Sequence, residues 1–324
     1  MSKTVSRWMV VSAAVQGLSH EGKGVPCQDA VHHVQRDGVT VVALADGAGS
    51  ARYAEPGAES VVHSICDLLG RSFDTFSAME SSTVAVALVR HLHERLYPVA
   101  REFSTNIREL ASTLAFVAVK RGRYLAGNLG DGVLGCERNG QLEVLCHPQR
   151  GEFINQTYFV TGQNAAEQLE IKKGGSEGIT AFFLMSDGTA EAFYHRRSGV
   201  LGRGLSQVSS WVEDYPAKQL ARQLQVNLRD QVREQTDDDC SLAVLRHLSF
   251  PLNVLRAKST LYQRDFLGSG SMRGAANRIQ VLQNLLDEQS EGSAAAPEPG
   301  RSLSKRAFQR HAGALSNLLE FESG

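Results

Sequence analysis

The sequence lacks the features that would place a protein in a membrane or on a nucleic acid. No apolar run approaches the roughly 20 residues of a membrane-spanning helix, and the segment from Met1 to Arg7 does not contain the apolar core of a signal peptide. The 34 lysines and arginines nearly balance the 35 aspartates and glutamates, giving a formal net charge of -1. Such a balance creates no field that would attract nucleic acid or an anionic membrane. We therefore expect a cytoplasmic protein with neither kind of partner.

Cysteine chemistry is also sparse. The chain has five cysteines, an odd number, and none of them forms a Cys-x-x-Cys pair. They are Cys27, Cys66, Cys136, Cys146 and Cys240. This scattered pattern argues against a disulfide framework and against a zinc site. We expect reduced, mostly buried thiols.

Two common enzyme motifs are missing or out of context. The chain has no Gly-Lys-Ser/Thr loop for nucleotide phosphates. The segment from Gly174 to Gly178 matches the Gly-x-Ser-x-Gly of serine hydrolases, but that motif requires a strand before it and a helix after it. An apolar strand-like run follows it here instead, so we reject a serine hydrolase.

The chain does contain apolar runs that end in an aspartate. Val41 to Ala45 read as a buried strand, and Asp46 follows it directly, before Gly47. A second run ends at Asp187, again before a glycine, and a third Asp-Gly pair contains Asp131. These repeated endings suggest that several carboxylates gather at one edge of a sheet.

The first motif already predicts a local geometry. Asp29 leads into a strand, Val31 to Val34, and a turn at Asp37 and Gly38 returns the chain to the strand that ends at Asp46. Asp29 and Asp46 therefore bracket a hairpin at the same end of the sheet. This placement favours a shared ligand.

Carboxylates that converge repel one another unless a cation lies between them. Asp29, Asp46, Asp131, Asp187 and one of the pair Asp238 and Asp239 all stand where apolar strands begin or end. Hard divalent cations such as Mg²⁺ or Mn²⁺ suit such oxygen ligands. Any one Asp-Gly pair is better explained as an ordinary turn. For the whole set, a metal site is the better explanation.

The remaining pattern predicts long helices and antiparallel strands, with a core complete near residue 248. We predict one domain over residues 1–248, followed by a helical, partly flexible C-terminal tail over residues 249–324 that either docks on the domain or contacts a partner. The predicted helices are Glu55–Leu69, Thr83–Arg101 and Tyr215–Glu234. The predicted strands include Trp8–Val15, a meander of Ser112–Val119, Tyr124–Leu129 and Val133–Cys136, the short strands Gln141–Leu145 and Thr157–Thr161, and Ser241–Leu245.

Four of these motifs, in this order, resemble the metal-dependent type-2C protein serine/threonine phosphatases. They are Val41–Ser50, Gly130–Gly132, Phe183–Gly188 and Asp238–Ser241. Cys27–Asp29 and Gly151–Phe159 resemble a bacterial branch of that family in particular. The resemblance covers roughly Trp8 to Leu248. It implies an α+β fold, a four-layer α-β-β-α sandwich of two antiparallel sheets flanked by helices, with metals in a cleft at one end.

The resemblance also implies a ligand set for two Mn²⁺ or Mg²⁺ ions. Asp46 would bridge them, and the Gly47 carbonyl would be a further ligand of one. Asp187 and Asp238 would complete the second site. Asp131 would bind a third, weaker ion.

The first motif supplies the last implied ligand, Asp29. Gln28 precedes it where many relatives have a glutamate, which removes one carboxylate from the site. Asp239 stands where many relatives have asparagine, so it is the less suitable ligand of the pair with Asp238.

Two further departures concern catalysis. Many relatives have a histidine, proposed as general acid, at the position of Ala48, and an arginine for the phosphate in the first motif, which this chain lacks. His20 and Lys23 lie nearby, and we expect one of them to contact the phosphate. The resulting candidate catalytic residues are Asp46, Asp187 and His20.

Two functions remain. The first is a protein serine/threonine phosphatase that hydrolyses phosphoserine or phosphothreonine by attack of a metal-activated water. Its partners would be a phosphorylated protein substrate and, in a signalling context, a cognate serine/threonine kinase. The second is a catalytically weak, phosphatase-like binding or scaffold module. The costly carboxylate set favours the enzyme, although the usual histidine and arginine are missing.

Overall fold

A computed structural model describes residues 4–149, 157–214 and 217–251. The strands are β1 (Thr4–Val15), β2 (Ala30–Arg36), β3 (Val39–Ala45), β4 (Leu114–Lys120), β5 (Arg123–Leu129), β6 (Val133–Arg138), β7 (Gln141–Cys146), β8 (Glu170–Gly175), β9 (Ile179–Met185), β10 (Tyr194–His195), β11 (Val200–Leu201) and β12 (Cys240–Pro251). The helices are α1 (Leu18–Lys23), α2 (Ala54–Ala78), α3 (Ser81–Glu102), α4 (Ala165–Gln168), α5 (Asp187–Phe193), α6 (Gly204–Asp214) and α7 (Ala217–Asn227). Short 3₁₀ turns cover Ile107–Leu110 and Arg233–Gln235, and a π turn covers Leu228–Val232.

Two five-stranded antiparallel sheets form the centre of the molecule. One sheet has the strand order β1-β12-β9-β6-β7, and the other has the order β2-β3-β4-β5-β8. A separate hairpin pairs β10 with β11. Tight turns set the register of several neighbours: Asp37 and Gly38, between β2 and β3, both have positive φ, as a type I′ hairpin turn requires.

Alternating side chains place the two sheets face to face. In β3, Val42 and Leu44 pack between the sheets, together with Phe182 and Leu184 of β9. The intervening residues of β3 pack outward under α2 and α3, and those of β9 pack outward under α6 and α7. Because side chains alternate sides along a strand, a strand covered on both faces is largely apolar, as β3 and β9 are apart from one threonine each. The expected four-layer α-β-β-α sandwich is therefore confirmed.

The predicted meander is wrong at its third strand. β4 and β5 pair as expected, but β6 leaves their sheet and pairs with β7 and β9 in the other one. The chain thus crosses between the sheets at Gly130–Gly132. A short turn in the sequence cannot distinguish a hairpin from a crossing of this kind.

Other local predictions also need correction. The segment after Gly17 forms α1 rather than a turn, and Thr157–Thr161 is not a strand. The predicted helix Tyr215–Glu234 is confirmed for its described part, since α7 runs from Ala217 to Asn227 and the π and 3₁₀ turns continue it to Gln235. Helix α6 was not predicted at all, since glycine and serine begin it.

Some predictions concern residues that the structure does not describe. The Gly151–Gln156 part of the bacterial motif and nearly all of the predicted tail lie outside the described residues, so the division at residue 248 stays a prediction. The five cysteines are free thiols, four of them buried, as expected. Among the described residues, no helix is long and apolar enough to cross a membrane.

Candidate metal centre and active site

Three carboxylates meet at one end of the sandwich. Asp46 follows β3, Asp131 lies in the crossing between β5 and β6, and Asp187 begins α5, separated by one residue from the end of β9. One oxygen from each side chain lies within 4.8 Å of the others, and all three residues are half-buried. Each sheet supplies one aspartate, and the crossing between the sheets supplies the third. Because β6 belongs to the other sheet, the connection between β5 and β6 crosses between the sheets and brings Asp131 to the site.

Hydrogen bonds and glycines fix this geometry. The Asp46 main-chain N–H donates to Thr113 Oγ1 at 2.9 Å, and the Thr113 N–H donates back to the Asp46 carbonyl at 2.8 Å. A Cβ on Gly132 would lie 2.8 Å from the Met185 carbonyl oxygen, and one on Gly188 would lie 2.3 Å from the Asp239 carbonyl oxygen. Glycine after the aspartate therefore lets the strand ends approach closely.

Burial and the charges of neighbouring carboxylates make Asp46 and Asp187 hard to ionise. Burial, followed by the charges of Asp29, Asp187, Asp238 and Asp131, raises the pKa of Asp46 well above its ordinary value. Burial and the charges of Asp131 and Asp238 raise the pKa of Asp187 to about 6. An arrangement that costs this much without a counter-charge is typical of a cation site.

Asp29 lies beside this cluster, at the start of β2. Its neighbour Ala30 pairs with Ala45, so Asp29 and Asp46 lie at the same end of the hairpin, as predicted. Asp29 is only 8% exposed, and burial, reinforced by nearby carboxylates, raises its pKa to about 8. Its oxygens make no aligned hydrogen bond among the described residues, although the nearby hydroxyls of Ser241 and Ser186 lower its pKa. A buried carboxylate with so few aligned donors suits a hard cation or its water ligands.

The neighbouring aspartates Asp238 and Asp239 have different environments. Asp238 is exposed, whereas Asp239 is 2% exposed. Asp239 accepts hydrogen bonds from the Gly17 and Gln28 main-chain N–H groups, each at 2.6 Å. It thereby holds the start of α1 and the segment before β2 against the start of β12. Asp239 has a structural role that the sequence pattern did not reveal.

A cleft of about 570 Å³ opens beside the cluster. Its lining includes His20, Asp187 and Asp238. His20 Nδ1 lies 3.0 Å from Asp239 Oδ1. Lys23 donates instead to the Ser19 hydroxyl at 3.0 Å. Of the two candidate phosphate contacts, His20 is the one that lines this cleft.

The site therefore brings some predicted residues together and separates others. Asp46, Asp131 and Asp187 form the close group, while Asp29 and Asp238 act on it electrostatically without joining it. The Gly47 N–H donates to the Gln28 carbonyl at 3.2 Å, and Gly47 also forms an isolated β-bridge with Ser112.

Two neighbours of the site need separate mention. Ala48 is 5% exposed and packs with Ala51, Ala54 and Ala111, so no proton donor stands there. Thr157, whose hydroxyl donates to Asp131 Oδ2 at 2.5 Å, was not predicted as a site residue. It lies in the Gly151–Phe159 segment that resembles the bacterial branch, but nothing in that pattern marks the threonine itself as a site residue.

The raised pKa values predict how the stability of the metal-free protein depends on pH. A carboxyl group with a raised pKa binds its proton more tightly in the folded chain, so the free energy of unfolding falls as the pH rises from the unfolded value of 3.8 to the folded one. For Asp29 this window ends at about pH 8. We expect the melting temperature without metal to fall by several degrees between about pH 7 and about pH 8.5.

Thermal melts with and without millimolar Mn²⁺ test this expectation. Mn²⁺ should remove most of the decrease in melting temperature with pH. Asp29→Asn should make the melting temperature of the metal-free protein depend less on pH. Histidines with lowered pKa are already neutral across this range, so they do not mask the effect. A metal-free melting temperature that is constant or rises with pH would contradict the electrostatic account.

Comparison with known proteins agrees with this geometry. The family described as protein phosphatase 2C matches residues 16–225, more than half of the chain. Serine/threonine-protein phosphatase 3 of Escherichia coli (strain K12) is 26% identical over 182 residues, which are 54% of this chain and 72% of that protein.

Solved structures show the same fold. A bacterial serine phosphatase aligns over 74% of this chain and 98% of its own, with a TM-score of 0.54 and 12% identity. The S. agalactiae serine/threonine phosphatase aligns over 74% and 99%, with a TM-score of 0.53 and 14% identity. Taken with the match over residues 16–225, these findings establish that the chain belongs to the protein phosphatase 2C family.

Proposed function

We propose that this protein is a metal-dependent phosphatase that removes phosphate from phosphoserine and phosphothreonine in proteins. The observation that carries the proposal is the close group of Asp46, Asp131 and Asp187, whose oxygens lie within 4.8 Å of one another. Membership of the family and the name of the E. coli relative support the choice of substrate.

The ligand assignment follows the positions of the side chains. Asp46 interacts electrostatically with Asp29, Asp131, Asp187 and Asp238, which suits a residue shared between two Mn²⁺ or Mg²⁺ ions. The Gly47 carbonyl would add a ligand to one ion, and Asp187 with Asp238 would hold the other. Asp131 would take part in a weaker third site, and Asp29 would act beside the first.

When bound, two such ions would lower the pKa of a water molecule and neutralise phosphate oxygens for in-line attack. The residues of the chain supply the remaining requirements. The paired hydrogen bonds between Asp46 and Thr113 fix the main chain of the central carboxylate. Thr157 orients Asp131, and the cleft beside Asp187 and Asp238 gives room for the phosphorylated side chain. A serine/threonine kinase would be the class of enzyme that supplies such a substrate.

Phosphate release with and without metal tests the proposal. The full chain, stripped of metal with a chelator, should hydrolyse neither p-nitrophenyl phosphate nor a phosphothreonine peptide. Mn²⁺ or Mg²⁺ should restore both activities. If metal binds but no phosphate is released above the chelated control, the scaffold function is correct and the phosphatase is not.

A further inference from the structure

Of the described residues that line the cleft beside the carboxylate group, His20 is the one imidazole, and none is lysine or arginine. The lining also includes the carboxylates Glu191, Glu234 and Asp237. A leaving alkoxide needs a proton, and an imidazole is the side chain that most often supplies one in general acid catalysis. His20 is thus the described lining group best suited to act as a general acid.

The orientation of the ring supports this role. His20 lies in α1 with its side chain 15% exposed, and its Nδ1 is 3.0 Å from Oδ1 of the buried Asp239. The two atoms are close, but their geometry is not that of an aligned hydrogen bond. Since Nδ1 faces Asp239, Nε2 is the ring nitrogen left for a ligand in the cleft. Two main-chain N–H groups hold Asp239 itself in place, so the carboxylate is a rigid support for the ring.

We propose that His20 is the general acid of the reaction and that Asp239 positions it. This inference rests on the proposed phosphatase function. As the bond between phosphorus and the ester oxygen breaks, its electron pair stays on the oxygen, which takes the proton from His20 Nε2. The water that forms the new bond to phosphorus loses a proton to solvent, and solvent returns a proton to the imidazole. The alcohol and inorganic phosphate leave.

This role differs from the binding of phosphate. A residue that only binds phosphate affects every phosphate ester to a similar extent, because all esters share that group. A general acid matters most when the leaving oxygen is strongly basic, as in serine and threonine, and little when the leaving group is p-nitrophenolate, which needs no proton. The ratio of the rate loss on a serine or threonine ester to the rate loss on p-nitrophenyl phosphate therefore distinguishes a general acid from a phosphate-binding residue.

The experiment measures kcat and KM for His20→Ala and His20→Gln with three substrates at saturating Mn²⁺. The substrates are p-nitrophenyl phosphate, phenyl phosphate and a phosphothreonine peptide. We expect kcat to fall less than about 3-fold on p-nitrophenyl phosphate and about 10²- to 10⁴-fold on the phosphothreonine peptide, with phenyl phosphate between them. His33→Ala, an exposed histidine on β2, is the matched control and should leave all three rates unchanged.

Equal loss on all three substrates, or no loss, would overturn the assignment. A rise in KM at constant kcat for every ester would instead identify a phosphate-binding residue. Asp239→Asn should show the same dependence on the leaving group, to a smaller extent. Wild-type protein that fails on p-nitrophenyl phosphate itself would refute the phosphatase function, whereas an active wild type with uniformly affected variants would refute only the role of His20.

Discussion

Replacing Asp46 with asparagine is expected to lower metal-dependent phosphate release by at least about 10³-fold, because its carboxylate lies among all the other candidate ligands. A loss of that size corresponds to about 4 kcal/mol of transition-state stabilisation, the scale expected when a metal site is disrupted. The same substitution should have the opposite effect on the metal-free fold. It removes one charge from a crowded, buried group, so the melting temperature without metal should rise by a few degrees near pH 8.

Lower activity combined with a higher metal-free melting temperature distinguishes the loss of a metal ligand from misfolding, since a misfolded variant would lose activity and stability together. Steady-state kinetics with Mn²⁺ and thermal melts with a chelator measure the two effects. Asp67→Asn is a suitable control, because Asp67 is an exposed carboxylate on α2 that pairs with Arg71. It should change neither quantity appreciably. An Asp46→Asn variant with more than a tenth of the wild-type rate would show that Asp46 is not the central ligand.

Replacing Asp239 with alanine is expected to destabilise the fold by about 3–5 kcal/mol. The substitution leaves the buried N–H groups of Gly17 and Gln28 without an acceptor, and each unsatisfied buried donor costs about 1–3 kcal/mol. For a domain of this size the melting temperature should fall by roughly 10 °C. His20 also loses the carboxylate beside its ring, so the start of α1 should loosen first.

The adjacent aspartate provides the control. Asp238 is exposed, so Asp238→Ala should change the metal-free free energy of unfolding by less than about 1 kcal/mol while weakening Mn²⁺ binding. Asp239→Asn, which keeps one acceptor oxygen, should fall between the wild type and Asp239→Ala. Chemical denaturation and Mn²⁺ titration calorimetry measure both quantities. Equal stability of the Asp238 and Asp239 variants would contradict the structural role of Asp239.

Much of the fold could be predicted because burial leaves a clear trace in the sequence. Strands covered on both faces, such as β3, are largely apolar, with Thr40 as the one polar residue of β3, and the turn before β3 contains Gly38 in positive φ. The hairpin that carries Asp29 and Asp46 follows from these local signals. The destination of β6 does not, since a three-residue connection can reach either sheet. That choice depends on which sheet edge is free, a property of the complete fold.

At the candidate site, too, local sequence patterns predict some of the residues and miss others. The aspartates at strand ends could be identified, because an apolar run followed by Asp-Gly is a local pattern. The resemblance made Asp239 the less suitable ligand, but its structural role could not be read from three successive aspartates, since that role depends on its burial. The same holds for Thr113 and Thr157, whose hydroxyls become important through contacts across 67 and 26 positions. Long-range contacts of this kind leave no mark on the neighbouring sequence.

The most direct test of the metal centre is anomalous diffraction at the manganese edge from a crystal soaked in Mn²⁺. We predict a peak about 2.1 Å from an oxygen of Asp46, with Asp187 as a further ligand. A crystal of Asp46→Asn treated in the same way should lose that peak. Strong manganese peaks elsewhere in the molecule, with none near Asp46, Asp131 or Asp187, would contradict the account.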